Sequence, residues 1–253
     1  MVMALFISIN QIEDTTPESF TLILATAAIM SVISGVLCLF TVEKPPGSSD
    51  SSLNFSTILG DHRFMRYLLI NVVYGASMAF AWPLTPFIIV DMLNLKVWQI
   101  AAFSLCSSGS SMMSLRYIGR LMDRIGRRPV IVFSRISMSV APIFYVYATS
   151  WLHIAVADII LGVGMAAWMS SGPTYVIDLA PLNMRATYLA ANTAVFGVAA
   201  FAGNLAGGYV TDNFLAVEGV MQGIHADLLI SAALRFFTGL LYLKVFETYS
   251  SED

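Results

Sequence analysis

Residues 119–129 read GRLMDRIGRRP and separate two apolar runs, 97–115 and 129–150. Four arginines and one acid crowd these positions, so the stretch should lie in water while its flanks avoid it. Gly126 permits a tight turn with a positive φ angle. Pro129 suits the first turn of a following helix, where its missing N–H has no cost. The stretch therefore predicts a tight polar turn between two apolar helices.

The other polar positions of this turn predict a charge network at the helix ends. We expect Gly119 to let the end of the first helix pack closely against a neighbour. Asp123 is an acid in a basic loop, and it can accept hydrogen bonds from an arginine or from a helix N-terminus. Arg124, Arg127 and Arg128 should hold the turn on the cytoplasmic side of a membrane.

The composition predicts a membrane protein. Of the 253 residues, 57% are hydrophobic and only 11% are charged, whereas a soluble protein carries roughly a quarter charged residues. The net charge of −3 does not favour nucleic acid as a partner. Cys38 and Cys106 lie inside apolar runs and offer neither a disulfide framework nor a metal site, so no cofactor is expected.

Seven apolar runs are long enough to cross a bilayer, which needs about 20 residues of helix. They are 20–42, 67–90, 97–115, 129–150, 151–177, 186–211 and 228–246. The predicted fold class is an all-α, multi-pass helical bundle of about seven transmembrane helices.

The basic residues predict the orientation in a cell membrane. If the N-terminus is outside, ten lysines and arginines fall on the inner side and only Lys96 falls outside. The C-terminus should then be cytoplasmic. Residues 43–62 are rich in Pro, Gly and Ser and predict a cytoplasmic linker. We expect an N-terminal stump and one helix over 1–42, and a six-helix bundle over 63–253.

The turn at 119–129 resembles the signature loop of the major facilitator superfamily, G-x-L-x-D-R-x-G-R-[R/K], at every fixed position. Residues 175–186, YVIDLAPLNMRA, look like the loop after that family's tenth helix. The resemblance implies twelve helices in two halves, of which this chain would hold the C-terminal half and the preceding helix. It further implies transport of a small organic solute by alternating access, coupled to protons or another ion, with the N-terminal half missing.

The resemblance also implies which helices line a substrate cavity, namely those at 67–90 and 151–177. Six polar, aromatic or thioether residues on these two helices are the candidates for binding a solute: Asn71, Tyr74, Met78, Trp82, Asp158 and Met165. The alternative is that these side chains only join neighbouring helices. Pro83 and Pro86 should break or kink the first of these helices.

Charged residues inside the apolar runs suggest further contacts, because an unpaired charge in a membrane is costly. Asp158 and Arg235 lie at similar depths and could pair. Asp158 is also the candidate for proton coupling. In the turn, Asp123 should accept from Arg127 or face the helix that starts at Ala186, and Asp178 should pair with a loop arginine.

Small residues recur on two helices, and two explanations stay open. Serines crowd residues 104–111, while Ala199, Gly203 and Gly207 recur every four residues. They could pack the two halves of a transporter together, as the resemblance implies, or pack helices within one bundle.

The sequence leaves two alternative interpretations of function. A seven-helix receptor is disfavoured because the last helix lacks an N-P-x-x-Y pattern. A truncated, inactive product is the second alternative. The three histidines, His62, His153 and His225, lie far apart and form no catalytic arrangement, so an enzyme is not expected.

Overall fold

The computed structural model describes residues 25, 28–37, 55–89, 93, 95–218 and 220–248, which form helices joined by short turns, with no strand. In chain order the helices are α1 Ala28–Leu37, α2 Phe55–Gly60, α3 His62–Ala79, α4 Leu84–Phe87, α5 Val97–Ile125, α6 Arg127–Val146, α7 Trp151–Leu179, α8 Arg185–Glu218 and α9 Val220–Leu241. A 3₁₀ turn, Tyr242–Lys244, follows α9. The predicted all-α membrane fold is confirmed.

Four helical segments are long and apolar enough to cross a membrane: Arg127–Val146, Trp151–Leu179, Arg185–Asn213 and Gln222–Lys244. The helices α3 and α5 are more polar, because α3 begins with basic residues and serines crowd the middle of α5. Each of the seven predicted runs nevertheless contains a described helix, although most of the run 20–42 outside α1 lies beyond the described residues.

The boundaries of α3 differ from those of the predicted run 67–90. The helix begins at His62, because the Asp61 carboxylate caps it by accepting from the amides of Arg63 and Phe64 at 3.0 and 3.1 Å. It ends at Ala79, shortly before Pro83, which confirms the predicted break.

The predicted linker is described only in part. Residues 43–54 lie outside the described residues, whereas Phe55–Gly60 form α2 inside the range predicted as linker. The division of the chain at residues 42 and 62 therefore stays a prediction.

Two helix pairs approach closely through small residues. A Cβ on Gly203 would collide with the backbone of Ala76 in α3, and one on Gly207 with the backbone of Phe80. A Cβ on Gly162 of α7 would likewise meet the Ser107 carbonyl of α5. These small residues therefore pack helices within the bundle, so at these positions the structure selects the second of the two explanations.

An aromatic core joins α3, α7, α8 and the 3₁₀ turn. Its largest fully buried members include Phe64, Tyr67, Tyr74, Tyr175, Tyr188 and Tyr242. Tyrosine carries a hydroxyl that needs a partner when buried, so this core is also a framework of polar groups inside the bundle. It forms one wall of the cavity described next.

Candidate functional site

A cavity of about 270 Å³ lies between α3, α6, α7 and α8. Its lining residues are Tyr67, Asn71, Arg135, Trp168, Met169, Gly172, Pro173, Asn192, Thr193 and Phe196. Met169, Pro173 and Thr193 are exposed, so the cavity opens to the surface between α7 and α8. Asn71 lies nine residues after the start of α3, about 13 Å along the helix. The cavity is therefore inside the bundle, nearer to the end that carries the 119–129 turn.

Arg135 is the charged residue of this cavity, and aromatic rings surround it. Its guanidinium carbon lies 4.6 Å from the ring centre of Tyr74, 5.0 Å from that of Tyr242 and 5.6 Å from that of Trp168. The residue is only 1% exposed, and its Nε and Nη1 atoms have no hydrogen-bond partner. The Tyr67 hydroxyl lies beside it. We call the three rings and Arg135 the arginine cage.

A chain of amides and hydroxyls runs along the cavity wall. The Tyr242 hydroxyl donates to the Asn71 Oδ1 atom at 2.8 Å, and the Asn71 Nδ2 atom donates to the Asn192 Oδ1 atom at 2.9 Å. These bonds fix the orientation of both amides. The Asn192 Nδ2 group, at the end of the chain, stands at the cavity wall as a hydrogen-bond donor.

The six predicted cavity residues divide into two groups, and four lie at or behind this cavity. Asn71 lines it. Tyr74 is fully buried behind the wall, and its hydroxyl donates to the Arg135 carbonyl at 3.3 Å. Met78 and Met165 pack in or against the aromatic core. Of these four residues, Asn71 is the one that lines the cavity.

Trp82 and Asp158 lie away from the cavity. Trp82 falls in the turn after α3 and is 42% exposed. Asp158 is buried and accepts from the Tyr145 hydroxyl at 3.4 Å. It stands fourteen residues before Gly172, about 21 Å along α7. Neither residue lines this cavity.

Arg235 does not pair with Asp158, although the sequence allowed that pair. Its Nη2 atom donates to the Met78 carbonyl at 2.7 Å and its Nη1 atom to the Met138 carbonyl at 3.3 Å. Backbone carbonyls therefore take the place of the expected carboxylate.

The predicted contacts of the 119–129 turn are present at the helix ends. The Arg127 Nη1 atom donates to the Asp123 carboxylate at 3.1 Å and to the Met122 carbonyl at 3.0 Å. The Arg127 Nε atom donates to the Asp178 carboxylate at 3.1 Å, which ties α6 to the end of α7. Gly126 has a φ angle of 92°, as its place in a tight turn requires.

Gly119 and Arg124 show no such role. A Cβ on Gly119 would meet open space among the described residues, so the expected close packing at this glycine is not found. Arg124 is exposed. Arg128 takes part through its backbone, whose amide donates to Glu247.

Glu247 completes this site and was not predicted. Its two carboxylate oxygens accept from the backbone amides of Arg127 and Arg128 at 2.9 and 3.1 Å, so it caps the N-terminus of α6. A carboxylate at a helix N-terminus is favoured by the free N–H groups there. We call Asp123, Arg127, Asp178 and Glu247 the cytoplasmic network, after the side of the membrane on which the basic residues of the sequence predict it to lie. The sequence signal that could have predicted Glu247 was an acid just after the last apolar run, on the same predicted side of the membrane as the basic turn.

Arg135 was also not predicted as a site residue. Its charge inside the run 129–150 was the available signal, because charged residues within membrane spans usually face a cavity or a partner. Tyr67, Trp168 and Asn192 gave no such signal, since aromatic and amide side chains are common in helix packing.

The family model described as Major Facilitator Superfamily matches residues 67–252, most of the chain. The chain belongs to the Major Facilitator Superfamily. Membership makes it a multi-pass membrane protein of a transporter family, which points away from an enzyme and from the seven-helix receptor. The matched range includes the cavity and the cytoplasmic network.

The chain is similar to curated proteins that are described by different functions. An uncharacterised MFS-type transporter of Methanocaldococcus jannaschii is 24% identical over 199 residues, covering 76% of this chain and 50% of that protein. The D-xylose transporter of Levilactobacillus brevis is 28% identical over 157 residues, covering 60% and 33%. The class H tetracycline resistance protein of Pasteurella multocida is 26% identical over 120 residues, covering 47% and 30%. The chain thus spans half or less of each of these relatives.

Proposed function

We propose that this protein carries a small organic solute across the cell membrane by alternating access, with the solute held in the cavity between α3, α7 and α8. The main observation in support is a cavity inside the bundle, whose polar groups are held in place by hydrogen bonds from other side chains. Small-molecule sites are typically apolar hollows with a few oriented polar groups. Asn71 and Asn192 would donate to and accept from the solute, and Trp168 would cover an apolar face.

We further propose that the bundle works with a second bundle. Two findings support this: the chain spans half of the Methanocaldococcus jannaschii transporter, and the cavity opens to the surface beside Met169, which is 64% exposed. A second bundle over that opening would close the site on one side of the membrane. Transport would then follow from rocking of the two bundles about the solute.

The cytoplasmic network would set the balance between the two states. It joins the ends of α5, α6 and α7 and the segment after α9 by charge-assisted hydrogen bonds. Such bonds contribute about 1–3 kcal/mol each, which is enough to bias a two-state equilibrium several-fold and is still breakable during transport.

Solute uptake by reconstituted vesicles tests this function. We expect the wild-type protein to take up labelled solute by exchange with unlabelled solute inside the vesicles, without a gradient. Asn192→Ala should slow this uptake at least tenfold, while the protein still inserts into the membrane and melts normally. Ser137→Ala is the matched control, because this serine lies outside the cavity and bonds only within α6. Absence of uptake for every solute tested would favour the inactive product.

The coupling ion requires an acid inside the membrane, and two are candidates. The sequence singled out Asp158. The structure adds Asp227, which is fully buried and has no hydrogen-bond partner on either oxygen. The adjacent Thr211 hydroxyl donates instead to the Gly207 carbonyl at 2.9 Å. We propose proton coupling at Asp158: Asp158→Asn should abolish the response of uptake to a pH gradient, whereas loss of that response only in Asp227→Asn would move the site to Asp227.

The proposed orientation places the cytoplasmic network on the inner side. In a background without Cys38 and Cys106, a cysteine at Ser49 should react only with reagent from the cytoplasm, and one at Glu218 only from outside. Reaction of both from the same side would contradict the orientation.

A further inference from the structure

We propose that the cavity binds a solute that carries an oxyanion, a carboxylate or a phosphate group, and that Arg135 is the residue that binds it. The proposal rests on the proposed function, because it names the solute class for the same cavity. It goes beyond the family assignment, since relatives of this chain include a D-xylose transporter and a tetracycline resistance protein.

The charge of Arg135 is not compensated by any acid in the part of the chain that the structure describes. Its charged or polar neighbours are the tyrosines Tyr67, Tyr74 and Tyr242. The ion pairs of Arg127 with Asp123 and Asp178 lie at the helix ends, away from Arg135. A guanidinium stays protonated even when buried, so the cavity carries a full positive charge.

Aromatic rings alone do not offset the burial of this charge. A cation over an aromatic face gains less free energy than the burial of an unpaired ion in a membrane protein costs. The rings also supply no hydrogen-bond acceptor, since the buried Nε and Nη1 atoms of Arg135 have no partner. Nη2, the nitrogen next to Gly172, shares one edge of the planar guanidinium with Nε and the other with Nη1, and either edge matches both oxygens of a carboxylate or phosphate.

Access from the cavity depends on Gly172. A Cβ at this position would lie 3.4 Å from the Tyr67 hydroxyl and 3.7 Å from the Arg135 Nη2 atom, both in ordinary contact. A longer side chain would therefore cover the guanidinium. Glycine at this point of the cavity wall leaves the end of Arg135 open to a ligand.

The second buried arginine shows what a structural role looks like in this bundle. Arg235 is 7% exposed, but both of its terminal nitrogens donate to backbone carbonyls, and it does not line the cavity. Arg135 has neither carbonyl partners nor an acid, although it is more deeply buried. This difference in hydrogen-bond partners indicates that the partner of Arg135 is an anionic group of the bound solute.

Isothermal titration of the purified protein, with every segment that its gene encodes, tests the proposal. The probes are matched acids and neutral analogues: benzoate and benzamide, nicotinate and nicotinamide, D-glucuronate and D-glucose, together with inorganic phosphate. We expect at least one anion to bind at least tenfold more tightly than its neutral analogue. Binding of carboxylates without phosphate, or the reverse, identifies which oxyanion the site takes.

Two variants and one control assign the effect to Arg135. Arg135→Gln should remove the preference for the anion, whereas Arg235→Gln should lower thermal stability and leave the preference unchanged. Asn192→Asp tests the same site with a variant that is expected to fold. The Asn192 side chain already accepts a hydrogen bond from Asn71, so the new carboxylate would keep that bond. It should raise the melting temperature by supplying an internal anion, and weaken anion binding at least tenfold.

Several results would overturn the proposal: equal binding of the acids and their neutral analogues, a preference that survives Arg135→Gln, or no binding of any anion at millimolar concentration. The uptake assay separates this failure from failure of the proposed function. Uptake that is equal for the acids and their neutral analogues, in the wild type and in Arg135→Gln alike, would leave transport standing and refute the anion class. Anion binding without uptake of any probe would support the anion site and refute transport.

Discussion

Two arginines of α6, Arg127 at its start and Arg135 nearer its middle, lie in opposite electrostatic environments. At the N-terminal end of α6, Arg127 contacts two carboxylates and a carbonyl, and a third carboxylate caps the helix. About 12 Å further along the same helix, eight residues on, Arg135 meets only aromatic rings and hydroxyls. Arg127 therefore has acidic and carbonyl partners, whereas Arg135 has neither kind among the described residues.

This difference distinguishes a structural contact between helix ends from a candidate binding site. Contacts at the water boundary can break and re-form at low cost, because water replaces the lost partner. Contacts inside the bundle have no such substitute, so an unpaired charge there calls for a ligand and a close backbone contact there cannot be relaxed. We therefore expect substitutions in the interior to act on folding or solute affinity, and substitutions at the cytoplasmic end to act on the balance of states.

The largest effect should come from the interior contact of α8 with α3. In Gly207→Ala the added Cβ collides with the Phe80 backbone, so we expect a loss of roughly 2–3 kcal/mol or more in unfolding free energy. Gly208→Ala is the matched control, because a Cβ there meets open space, and it should gain up to about 1 kcal/mol from helix propensity. Thermal melting in detergent measures both. Equal melting temperatures would show that the close approach is not needed.

A smaller effect is expected from the centre of the cytoplasmic network. Arg127→Gln leaves Asp178 without its guanidinium partner and should destabilise the state held by the network by about 1–3 kcal/mol. The readout is uptake, which should fall several-fold while insertion and melting stay near wild type. Arg128→Gln removes the same charge but not a side-chain bond of the network, and it should transport normally. Similar losses in both variants would mean that only the net charge of the turn matters.

The cap on α6 should matter less than its arginine. Glu247→Ala removes the acceptor for the amides of Arg127 and Arg128, at a cost of about 1 kcal/mol. Hydrogen exchange at these two amides should speed up. Glu247→Gln keeps one oxygen acceptor and should fall between Ala and wild type. Unchanged exchange in Glu247→Ala would show that water caps the helix equally well.

The smallest effect is expected at Asp123, whose side chain is 72% exposed. Water screens its ion pair with Arg127, and exposed pairs contribute at most about 1 kcal/mol. Asp123→Asn should therefore reduce uptake less than Arg127→Gln does, with normal insertion into the membrane. A loss as large as that of Arg127→Gln would place Asp123, and not Asp178, as the main partner.

Much of the fold was predictable because it depends on local sequence. A membrane helix needs a run of apolar residues, and a break needs a proline, so the seven runs and the end of α3 before Pro83 could be inferred from neighbouring residues alone. The cytoplasmic ion pairs were predictable for a similar reason: few charged residues exist in this chain, and those at helix ends have few possible partners.

The sequence by itself therefore determined the membrane fold, the tight turn at Gly126 and the pairing of Asp178 with an arginine of that turn, while the structure showed that Arg127 contacts both Asp178 and Asp123. Only the tertiary structure decided which polar residues face a common cavity. The Tyr242 hydroxyl and Asn71, which bond at 2.8 Å, are 171 residues apart, and no periodicity links positions on different helices. Rotation of each helix about its axis is set by packing, such as the contact of Gly207 with Phe80. That packing buried Tyr74 behind the wall, placed Asp158 outside the cavity and brought Arg135 into it.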